Sequence, residues 1–293
     1  MKRALHLARF VALAALAASS VAVTSVARAE GPSDAGVGGV TAISVTQSAS
    51  VHVRTIGRPV HVVGWNRAEV KVTGGGGLTV QVSDDRTRVS VSAGPQPGLA
   101  GPGVEPIELS VPAGSSVDVR SVSGEVSVVD VTGEVRAGSV QAGVRVRGAP
   151  KEVEADTVSG TVDLDLSVCD VRVASLSGAI KVQCRGKTAR VHGKTVSAPL
   201  NVKASGLFER LELRSVSGVV DADGKVTGDG PFELRSHSGN VSLAVPKGTP
   251  LVIDAHSRGR IDIKPSATDA GAATSAPTVT LRTFSGDIHV VER

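Results

Sequence analysis

Large aromatic side chains are nearly absent from this sequence. It contains one Trp, four Phe and no Tyr, while Val, Ser, Gly and Thr are abundant. A compact β-sandwich core usually contains more large rings, whereas a narrow interior can be filled by Val, Leu and Ile alone. The composition therefore favours strands and turns around a thin aliphatic core.

Cysteine is almost as scarce, since only Cys169 and Cys184 are present. Two cysteines without further nearby ligands are too few for a zinc site. In an oxidising compartment such a pair can form a disulfide, and two buried thiols are the alternative. We expect Cys184 to face inward, because it is in register with Leu166, and Cys169 follows Leu166 at the same distal turn.

The N-terminus has the pattern of a secretory signal peptide. Basic residues open the chain, an apolar run covers Phe10–Ala18, and Ala27-Arg28-Ala29 resembles a cleavage site before Glu30. The run is too short to span a bilayer. We therefore expect residues 1–29 to be removed and the protein to be exported to the periplasm, the cell surface or the medium. An uncleaved anchor is the alternative.

Net positive charge is also missing once this segment is set aside. The chain has 32 basic and 28 acidic residues, and four of the basic ones, Lys2, Arg3, Arg9 and Arg28, precede Glu30. The remainder holds 28 of each sign. A global basic field for nucleic acid is thus excluded, and no second apolar run predicts a transmembrane segment in the mature chain.

A short repeat dominates the rest of the sequence. A tetrad of the form [ST]-x-S-G, with some degenerate copies, recurs mostly every 18 to 21 residues. Apolar and polar residues alternate on both sides of it, as in Val126-Ser127-Val128 and Val162-Asp163-Leu164, which predicts half-buried strands. The third residues of the tetrads are Ser123, Gln141, Ser159, Ser177, Ser197, Ser217, Ser238, Ser257 and Ser285.

The constant period predicts an all-β fold, a two-sided parallel β-solenoid of roughly 18–21-residue rungs. Each rung would be strand, Ser-Gly corner, strand and distal turn, and could be stable only when stacked on its neighbours. An antiparallel sandwich of hairpins is the rival fold, but hairpins do not require matching columns at this period. We expect the repeats at 107–293. Residues 30–106 form an N-terminal β-rich region, either a cap or early rungs, that ends in a Gly/Pro-rich loop.

Three motifs resemble a known family. They are Gly64-Trp65-Asn66 followed by Val70-Lys71-Val72, the pattern V-P-x-G-[ST] at Val111 and Val245, and the repeated S-V-S-G. Together they are similar to the bacterial "putative adhesin" family, domains of unknown function built from β-strand repeats. The resemblance covers nearly the whole mature chain. It implies a β-solenoid and a surface or envelope role, and brings no catalytic residues.

The sequence predicts no catalytic residue, no cofactor and no metal site. G-x-S-x-G is absent, and the tetrad Ser recurs in columns like a structural part; we expect Ser121 and Ser123 both to face inward. His237 and His256 are expected in neighbouring rungs, but two imidazoles without a third ligand make a surface pair rather than a metal site.

The middle residue of each tetrad is the most unusual feature. Alternation places it outward, so that stacking would produce a continuous apolar ridge, and long exposed apolar stripes usually mark contact surfaces. The alternative is that the corner tucks these side chains against the next rung. The predicted ridge contains Val158, Leu176, Val196, Val216, His237 and His256.

These features favour a non-enzymatic exported envelope protein, adhesin-like or an interaction scaffold, that binds a protein or cell-surface partner or itself. A periplasmic sensor or accessory protein is the first alternative. A β-solenoid enzyme acting on polysaccharides is less favoured, because the outward acids lie among Lys and Arg without an aromatic floor.

Overall fold

The computed structural model describes residues 41–94, 105–228, 230–264 and 276–293, all within one compact unit, Val37–Arg293. The predicted signal peptide and most of the Gly/Pro-rich loop lie outside the described residues. Strands joined by turns make up the described part, which contains no helix. The all-β prediction is therefore confirmed.

Two stacks of parallel strands, here called face A and face B, form the body of the molecule. Along most of the chain the strands alternate between the faces, so that one strand of each makes a rung. Face A contains β2 (Ser50–Thr55), β6 (Arg88–Ala93), β8 (Ser116–Ser121), β10 (Glu134–Ser139), β12 (Glu152–Thr157), β14 (Cys169–Ser175), β16 (Thr188–Thr195), β19 (Phe232–Arg235), β21 (Val252–His256) and β23 (Thr278–Arg282). Face B contains β3 (Val60–Trp65), β7 (Ile107–Pro112), β9 (Val126–Val129), β11 (Val144–Gly148), β13 (Val162–Leu166), β15 (Ile180–Cys184), β18 (Val220–Val226), β20 (Val241–Val245), β22 (Ile261–Lys264) and β24 (Ile288–Glu292).

The long strand β17 (Leu200–Arg214) belongs to both faces. Its first residues pair with β15 and β18 on face B, and its last residues pair with β16 and β19 on face A. Three further strands, β1 (Thr41–Ser44), β4 (Glu69–Thr73) and β5 (Leu78–Val82), pair antiparallel at the N-terminal end.

The predicted columns stack residue for residue. Val144 pairs with Val126 and Val162, and Val162 pairs with Ile180, each in parallel register. All of these side chains are buried. Asp163 and Lys181, which follow Val162 and Ile180 along their strands, lie on the outer surface. Period-two alternation thus fills the space between the two faces with Val, Leu and Ile.

At the N-terminal end the rungs do not stack in chain order. β2 pairs with both β6 and β8, and β3 pairs with both β7 and β9. The rung β2/β3 comes first in the chain but lies second in the stack, between β6/β7 and β8/β9. On the outside, β5 covers β6, while β4 and then β1 cover β7.

The C-terminal end shows the same exchange, which the constant period did not predict. β23 pairs with β19 and β21, and β24 pairs with β20 and β22. The last rung of the chain is thus inserted under the rung that precedes it.

The V-P-x-G-[ST] motif marks both places where the chain passes over a rung. Val111–Ser115 leads from β7 to β8, past β2/β3, and Val245–Thr249 leads from β20 to β21, past β23/β24. Both turns close in the same way: the Ser115 N–H donates to the Pro112 carbonyl at 2.9 Å, and the Thr249 N–H to the Pro246 carbonyl at 3.2 Å.

Candidate interaction surface

In most described rungs the corner is held by the first residue of the tetrad. Ser121 and Ser175 are buried, and each hydroxyl accepts a hydrogen bond of 2.8 Å from the N–H of the Gly three residues on. Thr157 does the same at 3.0 Å. This side chain replaces the ladder bond that the turn removes, so its inward position has a structural cause.

The third residue of the tetrad does not face inward as predicted. Ser159, Ser177 and Ser217 are exposed, and each hydroxyl donates to a carbonyl of the preceding rung. Because the corner is a turn, strict alternation ends at the first Ser or Thr. These serines join rungs to one another, which accounts for their repetition without any catalytic role.

The middle residue of the tetrad points outward. Leu176, Val196 and Val216 are 42%, 40% and 50% exposed in three successive rungs, and Val158 before them is half-buried. Backbone hydrogen bonds align them, since the N–H of each following Ser donates to the middle carbonyl one rung earlier. The apolar column is therefore continuous and meets solvent.

His237 continues the column, but His256 does not. β23 is inserted between β19 and β21, so the ring of His237 stacks on Phe284, with centroids 5.1 Å apart. His256 lies opposite Arg282, two residues before Phe284 in the chain. Arg258, two residues after His256, therefore lies next to Phe284. The guanidinium of Arg258 lies 4.2 Å from the Phe284 centroid. We call the column Val158, Leu176, Val196, Val216, His237 and Phe284 the corner ridge.

A second apolar column runs beside part of the corner ridge. It consists of the residues that follow the tetrad, Ala179, Pro199 and Val219, and the last two are exposed. The exposed third residues and the buried fourth residues of the tetrads lie between the two columns. Across three rungs the surface is therefore apolar on both sides of the corner, which alternation within the strands did not predict.

A basic column flanks the corner ridge on face A. Lys194, Arg214, Arg235 and Arg282 occupy the position before the tetrad and lie side by side. Arg214 binds Glu233 at 2.6 Å and Arg282 binds Asp254 at 3.4 Å, and these acids lie one column further from the ridge. Positive charge thus lies nearest to the apolar residues. The sequence signal was the basic residue immediately before each of these tetrads.

The two cysteines meet at a distal turn, away from the corner ridge. Cys169 in β14 and Cys184 in β15 form a disulfide with 5.8 Å between their Cα atoms, and both residues are buried. The bridge joins the start of β14 to the end of β15, the two strands of one rung, at the distal turn that follows β13.

The outer surface of face B carries a shallow groove of about 410 Å³. Asp221, Asp223, Lys203 and His289 contribute its charged and titratable groups. Arg293 binds Asp223 at 2.7 Å, whereas Asp221 makes no ion pair with another described residue. Nowhere in the described ranges do three His, Cys, Asp or Glu side chains gather as a metal site would require.

Comparison with known proteins identifies the fold family. A family model described as Toastrack DUF4097, a domain of unknown function, matches residues 40–291. No curated protein matches the chain. In the part of the chain that the structure describes, no helix is long and apolar enough to cross a membrane.

Three solved structures are similar over most of this chain. A protein described as a "putative adhesin" from Bacteroides fragilis is 14% identical, with coverage of 86% of this chain and 96% of that one and a TM-score of 0.33. A "putative cell adhesion protein" from Clostridium sporogenes is 10% identical, with coverage of 87% and 98% and a TM-score of 0.22. A "putative lipid binding protein" from Parabacteroides distasonis is 11% identical, with coverage of 87% and 96% and a TM-score of 0.33. At these values the similarity carries no conclusion about function.

Proposed function

The chain belongs to the Toastrack DUF4097 family, and on that premise we propose that it is a non-enzymatic interaction scaffold, exported to the cell envelope, that binds its partner along the corner ridge. The observation that carries this proposal is the row of exposed Leu176, Val196 and Val216 in successive rungs. Rungs repeat about every 4.8 Å, so these three residues and Val158 form a strip about 15 Å long.

An exposed strip of this kind is costly unless it is covered in use. Aliphatic side chains in water contribute nothing to solubility, and contiguous apolar patches on soluble proteins usually mark contact surfaces. The flanking Pro199 and Val219 widen the strip, and Lys194 and Arg214 border it on face A. An apolar centre with a polar surround is the usual anatomy of a protein interface.

The charges beside the strip indicate the partner's chemistry. Lys194 makes no ion pair with another described residue, and the guanidinium of Arg258 lies on Phe284 at one end of the ridge. A partner segment with apolar side chains at its centre and acidic groups at its edge would complement this surface.

The outer groove on face B supports the non-enzymatic part of the proposal. Glycoside hydrolysis uses two carboxyl groups that flank the bond to be cleaved. In the groove, Asp223 is bound by Arg293, which leaves Asp221 as the one carboxylate there without an ion pair among the described residues. None of the described residues that line the groove is Phe, Tyr or Trp.

The test is to change Leu176, Val196 and Val216 together to Thr. The three residues lie in the corner turns just beyond the strands, and Thr is β-branched like Val while adding a hydroxyl to each exposed position. We expect the variant to fold normally and to bind intact cells and isolated envelopes of the producing organism at least tenfold more weakly than the wild type.

A matched control changes Val63, Val168 and Val291 to Thr. These residues are as exposed as those of the corner ridge but belong to other strands and turns. Equal binding by the ridge variant, the control variant and the wild type would show that the ridge is not the contact surface.

Localisation separates the scaffold from the periplasmic accessory alternative. Antibody or protease access to the protein on intact cells would support a surface role. Strict retention in the periplasm would favour the accessory role and would overturn an adhesin-like one.

A further inference from the structure

The two ends of the stack differ in whether further strands cover the outermost rung. At the N-terminal end, β5 covers β6 and β4 covers β7, so the inward residues Val89, Val91, Ile107 and Leu109 are fully buried. This end is closed by antiparallel strands.

The C-terminal end lacks such a cover among the described residues. β21 and β22 form its outermost rung, and each pairs with one described strand only, β23 and β24 respectively. Ile261 and Ile263 point toward the space between the faces, yet they are 43% and 41% exposed. Their partners one rung below, Ile288 and Val290, are 0% exposed.

The backbone of this rung is also available for pairing. The Val252 N–H donates to Pro277, and the His256 carbonyl accepts from Thr283, so these two residues bond toward β23. In a parallel ladder alternate residues bond to opposite sides, and Ile253 and Ala255 therefore direct their N–H and C=O groups away from β23. The Arg260 carbonyl accepts from Ile288, so by the same rule Ile261 and Ile263 direct theirs outward.

Acidic and basic residues alternate along both edge strands. Asp254 and His256 lie on one strand, 2.7 Å apart, while Asp262 lies between Arg260 and Lys264 on the other. When a strand pairs antiparallel with a copy of itself, residues equidistant from the centre face each other. Pairing centred on Ala255 and on Ile261 places Asp254 opposite His256, and Asp262 opposite Arg260, of the other copy.

We propose that two copies of this chain join tail to tail through the edges of β21 and β22. A two-fold axis perpendicular to the stack pairs each edge strand antiparallel with itself, which continues both faces and covers Ile261 and Ile263. Such an interface is isologous and closes with two copies. The N-terminal end of the stack is covered by antiparallel strands instead of a parallel rung, so we expect the closed dimer rather than a head-to-tail filament.

The test is the mass of the purified protein in solution, measured by sedimentation and light scattering over a range of concentrations. We expect a dimer that dissociates on dilution. Ile263→Lys places a charge at the covered edge and should raise the dimer dissociation constant at least tenfold. Ile263 is partly exposed within one copy, so the folded monomer should tolerate the change.

Val82→Lys is the matched control at the opposite end, because Val82 is an exposed residue of the edge strand β5. It should leave the dimer intact. A charge exchange tests the register: Arg260→Glu alone should weaken the dimer, and Arg260→Glu combined with Asp262→Lys should restore it.

A monomeric wild type at all concentrations would overturn the proposal. So would a dimer that Ile263→Lys leaves unchanged, or an open series of higher oligomers that Val82→Lys abolishes. The proposed function is tested separately, because the triple Thr variant of the corner ridge should still dimerise.

Discussion

At the scale of single residues, His192 combines partial burial with nearby positive charge. It lies on β16 beside Lys194, and its Nδ1 is 3.4 Å from the carboxylate of Glu212. Burial lowers the pKa of its ring, and Lys194 lowers it further, whereas Glu212 opposes them with a smaller effect. The folded protein therefore holds this imidazole neutral more strongly than the unfolded chain does.

We predict that His192 makes the protein less stable in mild acid. The unfolded imidazole takes up a proton as the pH falls through about 6.5, while the folded one resists, so protons stabilise the unfolded chain. Each unit by which the pKa is lowered can contribute up to about 1.4 kcal/mol to this loss. Urea unfolding at pH 7.5 and pH 5.5 measures it, and His192→Gln should reduce the difference. An undiminished difference would assign the effect to other groups.

At the scale of the strand, neighbouring residues of β13 have opposite environments. Val162 is buried between Val144 and Ile180, whereas Asp163 is on the outer surface, 3.8 Å from Arg145. This contrast repeats in most described rungs of the stack and defines which side of each strand forms the core.

We predict that Val162→Asp costs more than about 3 kcal/mol of unfolding free energy, because it buries a carboxylate without a partner. Asp163→Val should cost less than about 1 kcal/mol, since it removes only an exposed ion pair. Thermal and denaturant unfolding of the two variants compares them directly. Losses of equal size would contradict the alternation of inward and outward residues.

Strands and corners could be predicted from the sequence because their cause is local. Alternation around Val126 and Val162 reports burial, and the tetrad reports a turn that a Ser or Thr hydroxyl completes. The order of the terminal rungs could not be predicted. A rung presents nearly the same aliphatic columns to any neighbour, so the period that reveals rungs does not say which one lies beside which.

The position of the candidate surface could likewise be predicted only where the rungs stack in chain order. Leu176, Val196 and Val216 lie in the region where chain order and stacking order agree, and the sequence placed them side by side. His256 lies beyond the exchange, and its position opposite Arg282 depends on a pairing between strands that are distant in the sequence. The sequence signal for the exchanged rung order was the recurrence of V-P-x-G-[ST] at the two places where the chain passes over a rung.

At the scale of the whole molecule, the exchanged rung order can be tested by crosslinking. His237 and Phe284 occupy the same column in adjacent rungs, about 4.8 Å apart in the stacking direction, which is within the Cα separation of a disulfide. We predict that His237→Cys with Phe284→Cys forms a crosslink on mild oxidation, detected as a mobility shift that reduction reverses.

The control pair is His237→Cys with His256→Cys. Stacking in chain order would place these residues in adjacent rungs, but in the structure β23 lies between their strands. The two residues are therefore two rung spacings apart, about 10 Å, which is too far for a disulfide without backbone movement. A crosslink in this pair but not in the first would show that the terminal rungs follow chain order.

The exchange at the C-terminal end also has a consequence for the timing of folding during synthesis. β21 and β22 leave the ribosome before β23 and β24, yet they come to rest outside them. Among the described strands the earlier pair has no native neighbour until the later pair has emerged, because its ladder is built on β23 and β24. A chain that emerges N-terminus first, from the ribosome or from an export channel, can therefore add rungs progressively as far as β20 and must then wait, with the rim of the stack uncovered, until the intervening rung arrives.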